Sequence, residues 1–145
     1  MKNIKIFKKG FTLMELLVVV GIIGILATIV IGMLSSAQKK GKDSAIKEQM
    51  ASLRSEAELY AIGNGNSYNN LFTSNNTWAS ASVNIQAILT FLDSQTTVHT
   101  VGSSTNQWAA QVQLKEDPTQ YACIDYTAIM KIGTNVLGAG NTVCP

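Results

Sequence analysis

From Phe11 to Leu34 the chain is apolar almost without interruption, and the run FTLMELLVVVGIIGILATIVIGML holds one charged residue in 24, Glu15. As a helix it would be about 36 Å long, enough to cross a hydrocarbon core of ~30 Å with some tilt. Beyond Leu34 the apolar residues thin out but keep a helical period. Ile46, Met50, Leu53, Ala57 and Tyr60 recur at steps of four, three, four and three, with Lys47, Glu48, Arg54, Glu56 and Glu58 mostly off the stripe. The pattern predicts one helix over 11–62, wholly apolar in its first half and amphipathic in its second. Gly63-Asn64-Gly65-Asn66 supplies the stop. Gly21, Gly24 and Gly32 weaken the run by about 1 kcal/mol each against Ala, although small residues also let membrane helices approach closely.

The remainder changes period. Residues 63–83 are rich in Asn, Ser, Thr and Gly, with Tyr68, Phe72 and Trp78 interspersed, and read as a connecting loop whose aromatics plug onto a core. NIQAILTFLD, 84–93, sets Ile85, Ile88, Leu89 and Leu92 at helical spacing, a short packed helix. Trp108, Ala110, Val112 and Leu114 then alternate with Ala109, Gln111 and Gln113, a half-buried strand. Asp117-Pro118-Thr119 makes a turn, 121–126 returns, Ile129-Met130-Lys131-Ile132 adds a third strand, and Val98 to Val101 an edge. The expected fold is α+β: a long N-terminal helix packed against a small antiparallel sheet of three or four strands. The expected division is 1–10 as a leader, 11–62 as the helix (11–34 in the membrane or a filament core), and 63–145 as a head. That head has 83 residues and a modest core of its own.

Charge orients the apolar run. Lys2, Lys5, Lys8 and Lys9 precede it and hold that end on the cytoplasmic side. The whole chain carries a net charge of +2, and without residues 1–10 it falls to about −2. A mildly acidic product lacks the basic footprint of a nucleic-acid binder. Lys39, Lys40, Lys42 and Lys47 form a local cluster, read as a solvated helix face with some subunit contact, the alternative being contact with lipid head groups or a neighbour's acids. Hydrophobic residues make up 46% of the chain, a figure raised by the apolar run. An ionisable group inside that run is expensive, so Glu15 reads as functional, with a partner. A secretory signal has a shorter apolar stretch with its cut site after it. A plain single-pass anchor fits the length but leaves Glu15 unexplained.

The segment Gly10-Phe11-Thr12-Leu13-Met14-Glu15-Leu16-Leu17-Val18-Val19 resembles the cleavage and methylation motif of type IV pilin precursors and their pseudopilin relatives. The resemblance covers the first quarter of the chain; the rest agrees in layout. It implies that a prepilin peptidase cuts after Gly10 and methylates the new amine of Phe11. Glu15 then stands fifth in the product and pairs with the Phe11 amine of a neighbouring subunit during assembly. The implied partners are further copies of the chain in a helical filament, the prepilin peptidase/methylase, an inner-membrane assembly platform and the membrane itself. The implied location is a single-pass membrane protein before assembly and an extracellular filament afterwards. Many type IV pilins carry a Pro where Gly32 stands here, a departure from the family pattern.

Cys123 and Cys144, two cysteines in a small exported head, point to a disulfide. The closed loop of ~22 residues would contribute about 3 kcal/mol. It resembles the loop that closes many pilin heads, which major pseudopilins often lack. A structural zinc usually takes four ligands, and only His99 could join the cysteines, so no metal or cofactor is implied. His99 is the sole histidine and reads as a surface strand residue. No catalytic motif stands out, so the chain is read as no enzyme. Glu116, Asp117 and Asp125 are either solvated turn acids or oxygen ligands for calcium, without EF-hand spacing. Asn75-Asn76-Thr77 matches a glycosylation sequon. The reading is a structural subunit of a type IV pilus. Its rivals are a major pseudopilin of type II secretion, a minor adhesive or DNA-binding pilin, and a tethered enzyme.

Overall fold

The computed structural model describes residues 10–73, 79–96 and 98–145. The four leader lysines, the 75–77 sequon and Trp78 lie outside them. The elements run α1 (Leu13–Gly63), α2 (Val83–Gln95), β1 (His99–Ser103), β2 (Trp108–Gln113), β3 (Tyr121–Asp125) and β4 (Lys131–Gly133). The chain forms two compact units, divided between Ala37 and Gln38, and α1 contributes to both.

In the first unit, every residue of α1 up to Ala37 is exposed. The apolar stretch there reaches a mean hydropathy of 2.9 with none of it buried, and is long and apolar enough to cross a membrane. Its one internal hydroxyl bond is local: Thr28 Oγ1 donates to the Ile25 carbonyl at 2.7 Å. Such a surface is stable only against lipid or other apolar helices.

The second unit contains a sheet in the order β1-β2-β3-β4, antiparallel throughout. The α1 residues Ile46, Met50, Leu53 and Ala57 pack with Ile85, Leu89 and Leu92 of α2 and with Val101, Trp108, Ala110, Val112, Ala122 and Ile124 of the sheet. The predicted stripe on α1 is thus the core face, lengthened by Asp43 and Ala61 at its ends. Phe72 of the loop plugs this core and meets Trp108 edge-on, ring centroids 6.5 Å apart. The end of α1 is set by Gly65 and Asn66, both at positive φ, with the Asn66 N–H returning to the Ala61 carbonyl at 2.8 Å.

One expectation needs correcting. Alternation along β2 predicts a solvated face of Ala109, Gln111 and Gln113, but Ala109 and Gln111 are buried. The C-terminal segment covers that face. Leu137 and Cys144 form a second small core with Ala109 and Cys123. Gln111 clamps the segment twice, its Nε2 donating to the Asn135 carbonyl at 2.8 Å and its Oε1 accepting from the Leu137 N–H at 2.6 Å. Nothing periodic in residues 134–145 announces this packing; it is made by long-range polar bonds.

Candidate functional site: the N-terminal turn of α1

Thr12, Leu13, Met14 and Glu15 fold as a reciprocal cap. The Thr12 N–H and hydroxyl both donate to Glu15 Oε2 at 2.9 Å, and the Glu15 N–H donates to Thr12 Oγ1 at 3.2 Å. This T-x-x-E arrangement satisfies helix-end donors that would otherwise be unpaired, and places a negative charge at the positive end of the helix. Gly10 and Phe11 precede the helix, both exposed. Phe11, Met14, Val18 and Val19 line an apolar recess beside the carboxylate. Thr12 alone separates Phe11 from the first residue of the helix, Leu13.

Thr12 was not singled out by the sequence reading, although the T-x-x-E spacing is visible in the sequence. Its role changes how Glu15 is understood. The carboxylate is already held by its own helix through Oε2, while Oε1 has no hydrogen bond among the described residues. A carboxylate has about four acceptor positions, so cap and second partner can be served together.

The remaining sequence candidates lie in the second unit. Cys123 and Cys144 are bonded, with Cα atoms 5.8 Å apart. Asp125, 1% exposed, holds the same tail: its Oδ2 accepts the Cys144 N–H at 2.9 Å and its Oδ1 the Thr127 N–H at 2.9 Å. Burial pushes its carboxyl pKa up, but the bonds from the Thr127 hydroxyl, Cys144 and Thr127 amides and the Lys131 charge outweigh that and hold it below the ordinary value. Asp117 caps its own turn through Thr119, whose hydroxyl and amide bonds hold that carboxyl low as well. Glu116 pairs with Lys40 at 3.4 Å. His99 is half-buried in β1, its Nδ1 3.5 Å from Asp93 Oδ1. No group of three or more His, Cys, Asp or Glu that could hold a metal occurs among the described residues.

Comparison with known proteins falls on the same turn. Residues 7–31 match the prokaryotic N-terminal methylation motif. Over 60 residues the chain is 43% identical to the type IV wide pilus major component PilA4 of Thermus thermophilus, a stretch covering 41% of this chain and 45% of that relative. No solved structure matches. The chain therefore carries the methylation motif of prokaryotic prepilins, and the likeness to a pilus component supports the type IV pilin family.

Proposed function

We propose that the chain is the precursor of a type IV pilus subunit, whose work is assembly and not catalysis. The observation that carries this reading is the matched motif with Glu15 at the capped N-terminus of a helix whose apolar first half is exposed throughout. Cleavage after Gly10 creates an amine at Phe11, and methylation keeps it basic. In an apolar setting that cation and the Glu15 carboxylate are each expensive alone and tolerable together. The exposed apolar helix gains by packing against copies of itself, so membrane residence and filament growth use one surface. The disulfide-closed tail weighs towards a pilin over a major pseudopilin. Such a filament would serve adhesion, twitching motility or DNA uptake.

The test is an intact-mass measurement on filaments sheared from the cell surface. The expected product lacks residues 1–10 and carries one methyl group on Phe11. Recovery of the chain in filaments with its leader retained, or its absence from every filament fraction, would overturn the reading.

A further inference from the structure

The lysine cluster that follows the apolar run has no task in the pairing of Glu15. Lys39, Lys40 and Lys42 are all exposed. In sequence they stand beside Asp43, the one acid among residues 35–47, which would offset part of their charge. The fold takes that acid away. Asp43 is 4% exposed, and its two oxygens accept the Lys115 and Glu116 N–H groups at 2.6 and 2.9 Å. Lys47 is half-buried and lines a cleft with Asp43, Glu116 and Asp117. Lys39 and Lys42 make no ion pair among the described residues. Lys40 reaches Glu116 at 3.4 Å, with side chains 63% and 47% exposed. A pair that open to water is weak and readily exchanged.

Spacing narrows what these cations can meet. They follow Leu34 by five, six and eight residues, with the uncharged turn Ser35-Ser36-Ala37-Gln38 between. At about 1.5 Å of rise per residue this is about 8–12 Å of helix. The polar layer on each side of a hydrocarbon core is about 5–8 Å deep, within reach of a lysine stem. At about 100° per residue the three lysines also fan over about 160° of the helix circumference. No single neighbouring helix face meets all three. A layer of head groups around the helix does.

We propose that Lys39, Lys40 and Lys42 bind the phosphate groups of anionic phospholipids, a lipid clamp immediately beyond the apolar run. The inference rests on reading that run as a membrane span, and it concerns the chain before it enters a filament. Cleavage after Gly10 would remove Lys2, Lys5, Lys8 and Lys9, which leaves this cluster as the set of lysines nearest the span. Leaving the bilayer then requires the three cations to give up lipid phosphates, and Glu116 stands ready to take back Lys40.

The test is native mass spectrometry of the detergent-solubilised full chain, titrated with phosphatidylglycerol or with zwitterionic phosphatidylethanolamine. Each lysine near an anionic surface contributes about fivefold, so phosphatidylglycerol is expected to bind about a hundredfold tighter. The triple variant Lys39→Gln, Lys40→Gln, Lys42→Gln is expected to lose that preference. Glu116→Gln carries the opposite sign. It frees Lys40, removes a negative charge and keeps the backbone bond to Asp43, so phosphatidylglycerol should bind about fivefold tighter with head melting unchanged. Equal binding of the two lipids, or no gain from Glu116→Gln, would overturn the proposal. A triple variant that keeps its lipid preference yet fails to enter filaments would overturn it too, and would assign the lysines to acids of a neighbouring subunit. The measurement needs neither leader cleavage nor a filament, so its failure leaves the pilus reading standing. Absence of the chain from every filament fraction would end the pilus reading without touching the lipid preference.

Discussion

At Glu15 the carboxylate accepts two bonds from Thr12 through Oε2, so any substitution there removes both a charge and a helix cap. Glu15→Ala and Glu15→Gln separate the two roles, because Gln retains capping-box geometry without the charge. If the charge is what assembly needs, both variants are processed, remain in the membrane and form few or no filaments, and electron microscopy of sheared material reads this directly. Normal filaments from Glu15→Gln would leave the cap as the residue's role. Asp125 makes a second residue-scale prediction. An ordinary aspartate titrates near 3.8, and in the fold this one is held lower. Its stabilising effect is therefore complete above that value and is lost as the pH falls through the lower, folded one. Thermal melts of the detergent-solubilised chain should show a head stable from neutral pH down to about pH 4 and weakening below. Asp117, shifted in the same direction, adds to the trend. Asp125→Ala leaves the Cys144 and Thr127 amides unpaired and is expected to cost about 3 kcal/mol, measured by denaturant titration.

The elements differ in how far the sequence specifies them. Helix α1 was legible because its apolar residues keep one period for about four turns, and its end because Gly63-Asn64-Gly65-Asn66 supplies a conformation few other residues accept. The strands were legible from alternation, and the turn at 117–119 from Asp-Pro-Thr chemistry. The cover on the outer face of β2 was not, since an Ala or Gln in a strand reads as solvated unless its distant partner is known. Asp43 is a similar case. Sequence places it among lysines on a solvated face, yet it is 4% exposed and accepts the Lys115 and Glu116 N–H groups at 2.6 and 2.9 Å, tying α1 to the turn after β2. One glycine records how tightly the tail packs. A Cβ on Gly102 of β1 would lie 2.8 Å from the Gly140 carbonyl carbon and 2.9 Å from its oxygen, both backbone atoms that move only if the tail moves. Gly102→Ala is expected to destabilise the head by about 1–3 kcal/mol. Limited proteolysis should find earlier cleavage within 134–145.

For the whole molecule, the proposed function assigns separable tasks to the two compact units, and the disulfide allows this to be tested. The bond closes 21 residues of sequence separation, so its loss removes about 3 kcal/mol from the folded head by the chain-entropy estimate. The tail has other attachments: Gln111 to Asn135 and Leu137, Asp125 to Cys144, Lys131 Nζ to the Cys144 carbonyl at 2.9 Å, and Thr142 to Gln107 at 2.9 Å. Cys144→Ser should therefore leave a head that folds but melts earlier and is nicked in its last residues. On the proposed pilin reading, membrane insertion and leader cleavage would depend on residues 1–34 and should proceed at the normal rate in the same variant. Glu15→Ala is expected to show the converse, an intact head with unchanged melting on a subunit that does not assemble. The pair forms a double dissociation, read by protease resistance of the head on one side and by filament yield on the other. If Cys144→Ser slowed leader cleavage, or if Glu15→Ala lowered the melting of the head, the tasks would be coupled and the division would fail. The predicted independence follows from where the stabilising groups lie: among the described residues, the side-chain hydrogen bonds that hold the tail come from Gln107, Gln111, Asp125 and Lys131, all in the second unit.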